Sequence, residues 1–170
     1  MKVQLFICAT IVYLSAAVVS VNAQCDTWIG KPTQSDAENA HTIYRQSLKS
    51  NEFELAFENW QIAYKLAPAA DGNRDYHYTD GIEIYKQKLS NATDEKLKQE
   101  YGEIIKRLYD EAISCYKSKS IKVKGDTEEA LNDKLGYLYG RKAYDMFYII
   151  NTPYAQTIEA LDNSIKYAGD

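Results

Sequence analysis

Apolar positions recur at helical spacing almost without interruption from Ala37 to the end of the chain. Ala40, Ile43 and Tyr44 give the i, i+3, i+4 stripe of a first helix. Phe53, Ala56, Trp60 and Ala63 give a second, and Pro68 ends it. After a polar break at 69–74, Tyr78, Ile82, Tyr85 and Leu89 mark one face of a third helix. Thr93 is placed to cap the next, with Asp94 and Glu95 in its first turn. In that fourth helix Leu97, Tyr101, Ile104, Leu108, Ala112 and Cys115 hold one stripe for about six turns. Asp126 and Glu129 have the spacing of a capping box ahead of Leu131, Leu135, Leu138 and Met146. Thr152 reads as a cap with Pro153 at the first helical position, and Ala155, Ile158, Leu161 and Ile165 follow before Gly169.

The pattern predicts an all-α chain of three antiparallel helix hairpins, 37–50/53–67, 75–90/94–117 and 128–149/153–168, with almost no strand signal. No single hairpin can cover its own apolar face, so stability must come from stacking neighbours. Trp60, between Ala56 and Ala63 where the second helix meets the first, is expected in the core.

The first pair carries Ala56-x3-Trp60, then Ala63 and Pro68 at matching distances, over roughly the period of a tetratricopeptide repeat. This resembles a tetratricopeptide-repeat (TPR) unit. The family's first-helix Trp is Ala40 here, its Leu-Gly pair is Ile43-Tyr44, and its turn Gly is Asn51. Tyr44 in place of a small residue implies locally wider packing. Further strings cover nearly the whole chain after residue 23: Gln24-Cys25-Asp26-x-Trp28, Tyr78-x2-Gly81-Ile82-x2-Tyr85, Leu108-Tyr109-Asp110, Leu138-x-Gly140-Arg141-Lys142 and Ala160-x3-Ser164-Ile165. They resemble secreted TPR proteins of Gram-negative, Bacteroidetes-type bacteria. The resemblance implies a right-handed superhelical stack of about three hairpins, acting as a non-catalytic protein-binding scaffold. Members usually continue with more repeats, so the chain is expected to be an N-terminal portion or a short member. In TPR folds the first helix of each hairpin lines the inner groove. That implies Glu38, His41, Arg45 and Lys49 as groove residues, with another protein or peptide as partner.

The N-terminus adds a location. Met1-Lys2, the apolar run from Val3 to Val19 and the small-x-small site Val21-Asn22-Ala23 form a secretory signal peptide. The expected organisation is a cleaved signal at 1–23, an arm at 24–35 and a helical repeat domain at 36–170. After cleavage no membrane span is expected, and the product is periplasmic, outer-membrane-associated or extracellular. Losing Lys2 and no acid shifts the formal charge from −4 to −5. That argues against nucleic acid as a partner. The basic run Lys117, Lys119, Lys122 and Lys124 lies among Ser and Gly, as in a solvated loop.

Candidate chemistry is sparse. There is no Gly-rich phosphate loop, nucleophile elbow or metal-ligand spacing, so no catalytic, cofactor or metal residues are assigned. Export permits a Cys25–Cys115 disulfide, while Cys115, on an apolar helix face where free buried thiols are common, also reads as unpaired. His41 is expected to be exposed. His77, beside Asp75 and Asp80, reads either as a tuned imidazole or as part of a first helical turn. Tyr76, Tyr78, Tyr85, Tyr101, Tyr109, Tyr116, Tyr137, Tyr139, Tyr144 and Tyr148 all fall on helices of the second and third hairpins, most as packing residues, with three or four left for a groove. A carbohydrate- or small-ligand-binding module using exposed Tyr and Trp is the alternative function, and an enzyme of unrecognised type is a second.

Overall fold

The computed structural model of the protein describes residues 24–169; the expected signal peptide, 1–23, lies outside them. Six helices follow in order: α1 (Gln34–Lys49), α2 (Phe53–Leu66), α3 (Tyr76–Asn91), α4 (Glu95–Lys117), α5 (Glu128–Tyr148) and α6 (Tyr154–Ala168). They form three hairpins stacked in a TPR-like arrangement, joined through α2 against α3 and α4 against α5. Among the described residues there is no strand.

Helix ends depart slightly from the sequence reading. Asp94, not Thr93, caps α4, its carboxylate accepting from Leu97 N at 2.9 Å. Thr127, not Asp126, caps α5 through Ala130 N at 3.1 Å. A β-region backbone at each of these positions lets the side-chain oxygen reach the free amide three residues on. Pro153 stands at the cap position of α6, so its ring precedes the first helical residue, and Thr152 makes no cap bond. α1 begins three residues before the predicted start, inside the expected arm. Asn51 turns the first hairpin with φ +59°, a left-handed conformation Asn tolerates in place of Gly.

The hairpins close through small residues. Ala37 and Ala40 of α1 and Ala56 and Ala63 of α2 are buried, with Trp60 among them at 3% exposure. The bulk of Tyr44 is taken up at the seam with the second hairpin, where its hydroxyl donates to Asp80 of α3 at 3.0 Å. α5 and α6 approach through Gly136 and Gly140, where a Cβ would crowd Ala168 and Ser164. Ser164 Oγ donates to the Gly136 carbonyl across this contact at 2.9 Å. One continuous core runs through Trp60, Tyr78, Ile82, Ile105, Leu108, Ala112, Leu135 and Leu138.

The N-terminal arm is part of the fold. Cys25 and Cys115 are joined by a disulfide that ties the arm to α4 across 90 residues. Trp28 packs with Ala37, Ala67 and Ala70, and its amide bonds the Ala70 carbonyl at 2.9 Å. Among the described residues, no helix is long and apolar enough to cross a membrane.

Candidate functional site

Two surface features stand apart from ordinary packing. The first is a cleft of ≈ 300 Å³ where the arm, α1 and the α2–α3 loop meet, lined by Trp28, Glu38, His41, Thr42, Asp71, Arg74 and Tyr76 among others. His77, fully buried at the start of α3, sets its geometry. His77 Nδ1 lies 2.7 Å from the Ala67 carbonyl, and His77 Nε2 lies 2.9 Å from His41 Nδ1. Burial drives the His77 pKa down to about 4, which keeps the ring neutral at physiological pH. Burial also lowers the His41 pKa, helped by the nearby Arg45 and Arg74 guanidinium groups.

The four residues expected to line a groove are thus divided. Glu38 and His41 share the cleft, and His41 is half-buried rather than exposed. Arg45 is held in the hairpin seam, bonded to Asp80 at 2.7 Å with its guanidinium 3.9 Å from the Tyr76 ring centre. Lys49 is exposed at the end of α1. Sequence reasoning missed the His41–His77 contact because the two lie 36 residues apart on different hairpins. The signal available in the sequence was an aromatic neighbour for each, Tyr44 three residues after His41 and Tyr76 next to His77.

The second feature is the outer face of the third hairpin. Among the described residues, eight of the twelve large exposed hydrophobic side chains belong to this hairpin: Tyr137, Tyr144, Phe147 and Tyr148 on α5, and Tyr154, Ile158, Leu161 and Ile165 on α6. Aromatic contacts run from Tyr144 to Tyr148, on to Phe147, and across to Tyr154. Tyr154, Ile158, Leu161 and Ile165 continue the surface at i, i+4, i+7 and i+11. Three of the ten tyrosines singled out in the sequence, Tyr137, Tyr144 and Tyr148, are exposed here. Tyr78, Tyr85, Tyr109 and Tyr116 are buried.

Compared with known proteins, the chain matches no family model, no curated protein and no solved structure. The site must therefore be read from its own geometry. Among the described residues no group of three or more His, Cys, Asp or Glu could hold a metal ion. Two further buried ionic groups, Asp145 and Glu111, bond residues of neighbouring helices. Asp145, at 0% exposure, accepts from the Tyr109 hydroxyl at 2.7 Å and faces Lys86 at 3.3 Å, linking α3, α4 and α5. Glu111 takes a bond from the Tyr64 hydroxyl, and burial holds its pKa above the usual carboxylate range.

Proposed function

We propose that the protein is a non-catalytic, TPR-type interaction scaffold of the cell envelope, exported by its N-terminal signal, that docks a helix of a partner protein on the outer face of its third hairpin. The observation that carries this reading is the stripe Tyr154, Ile158, Leu161 and Ile165, exposed by 62, 40, 38 and 65%. A contiguous apolar face of this kind on a folded chain marks an interaction site. Its spacing is the seam by which one helix packs along another, so the occupant is helical.

Fully burying an exposed side chain of this size contributes about 1.5–3 kcal/mol, and at 38–65% exposure each of the four gains about half of that. Together they reach the lower end of the estimated cost of association, about 4 kcal/mol, so the α5 aromatics beside them must add to the contact. Polar residues Glu159, Asp162 and Lys166 occupy the remaining exposed side of α6. A partner helix therefore presents an apolar stripe with polar flanks of mixed charge.

The paired substitution Ile158→Glu with Ile165→Glu tests this. Both side chains are exposed, so the thermal midpoint should stay within a few degrees of the parent. Recovery of a defined partner from the producing cell's envelope should fall at least about tenfold, as expected from losing 1.4 kcal/mol or more. Unchanged recovery with an intact fold would remove this face from the account.

A further inference from the structure

We infer that the cleft between the arm, α1 and the α2–α3 loop binds a single neutral sugar ring, with His41 Nε2 as a fixed acceptor for one of its hydroxyl groups. The inference does not depend on docking at the third hairpin, which is a separate surface.

Hydrogen positions follow from the partners. The Ala67 carbonyl only accepts, so His77 Nδ1 carries a hydrogen. His77 is fully buried and touches no carboxylate, so its ring is neutral and its Nε2 holds a lone pair. The atom opposite, His41 Nδ1, must then donate. A neutral His41 is left with its own lone pair on Nε2. That nitrogen has no partner among the described residues, and it is not sealed from solvent. Ring packing fixes where it points. Trp28 and Tyr44 meet the His41 ring edge-on at 5.3 and 5.1 Å, and Tyr76 stacks on it at 6.1 Å.

The rest of the cleft selects the ligand class. Arg74 and Arg45 are each paired with a carboxylate, Asp71 and Asp80, and Glu38 adds a further negative charge, so the cleft has no net positive charge to favour a phosphate or an acid. Glu38 offers carboxylate oxygens, and its Oε1 already takes one bond from Gln34. The Thr42 hydroxyl donates to the Glu38 carbonyl at 2.9 Å, which leaves its oxygen as an acceptor. The outer guanidinium N–H groups of Arg74 remain as donors. Acceptors and donors side by side match vicinal hydroxyls, each of which gives and takes one bond. Trp28, Ala70 and Tyr76 form the apolar part of the lining; Trp28 and Ala70 are buried and Arg45 covers one face of Tyr76, so they offer a ring's C–H groups edges and not an open stacking face. At ≈ 300 Å³ the cleft sits at the small end of ligand sites, enough for one ring and not for an extended chain.

The test is imidazole nitrogen NMR on the protein, titrated with the methyl glycosides of glucose, mannose, galactose, rhamnose and N-acetylglucosamine. Before any addition, both rings should carry their hydrogen on Nδ1. A hydrogen on His41 Nε2 would overturn the inference. At least one glycoside should then move the His41 Nε2 signal saturably. Binding should weaken about tenfold in His41→Ala, and measurably in Thr42→Val, which alters only an exposed side chain. No saturable shift with any glycoside would refute the inference, as would an affinity unchanged from the parent in both variants. A shift produced only by a short peptide would also refute it, by assigning the cleft to a different class of ligand.

Discussion

Trp60 of α2 occupies the space a side chain at Gly81 of α3 would need: a Cβ there would stand 2.7 Å from Trp60 Cε2. The indole is held by its Nε1, which donates to the His77 carbonyl at 2.7 Å. It also stacks on Tyr64 at 5.0 Å. Gly81→Ala should therefore destabilise the protein by about 1–3 kcal/mol through overpacking. Trp60→Ala should cost about 3–5 kcal/mol through the cavity it leaves. In a Trp60→Phe background the smaller ring relieves the clash, so the cost of Gly81→Ala should fall. Denaturant unfolding of the single and double variants checks this, and strictly additive costs would contradict the contact.

The seam between the second and third hairpins depends on Asp145. Tyr109→Phe keeps the ring and removes only the hydroxyl that reaches Asp145 Oδ2. With Asp145 wholly buried, the loss should cost about 1–3 kcal/mol, whereas Tyr154→Phe on the exposed face should cost almost nothing. Urea midpoints of the two variants make the comparison, and equal effects would mean that Asp145 finds another donor.

His77 makes stability depend on pH. Its folded pKa, about 4, lies below the ordinary value of 6.5, because burial opposes the charged ring. Between those values the unfolded chain binds the additional proton, so acidification favours unfolding. The contribution is complete above pH 6.5, declines as pH falls toward about 4, and is gone below it. A shift of this size corresponds to roughly 3 kcal/mol. Unfolding free energies across that window, with the His77 ring protons followed by NMR, test it. A His77 that titrates near 6.5 in the folded protein would contradict the buried pair.

The disulfide closes a long loop. Opening it should cost roughly 2–5 kcal/mol, mostly by freeing the unfolded chain. The arm keeps its backbone bonds, Trp28 N to Ala70 O and Ala69 N to Asp26 O, each 2.9 Å. Cys25→Ser with Cys115→Ser should therefore lower the thermal midpoint while far-ultraviolet circular dichroism stays helical. A loss of helicity at room temperature would show that the bridge is required for folding itself.

The helical stack was legible because apolar spacing is local: Ala40, Tyr44, Ala56, Trp60 and Ala63 declare a buried helix pair within one window of sequence. Helix ends were read to within a residue or so at most positions, and the caps slipped by one where Thr93 and Asp94, or Asp126 and Thr127, offered adjacent oxygens. What could not be read were pairings across hairpins. Nothing in Asp145-Met146-Phe147 says that the acid turns inward to Tyr109, and His41 and His77 meet only once α1 and α3 are side by side. The exposed stripe on α6 was visible as apolar periodicity, but periodicity does not say which apolar face is left uncovered.

The most direct measurement for the central claim is site-specific photo-crosslinking in the producing cell, with the photoreactive residue moved along α6. Attachment to a partner protein should be strong at Tyr154, Ile158, Leu161 and Ile165, and weak at Glu159, Asp162 and Lys166. The attached residues on the partner should themselves repeat at three- and four-residue spacing, as one helix lying along another requires. Crosslinking without that periodicity, or only to a second copy of this chain, would contradict the account.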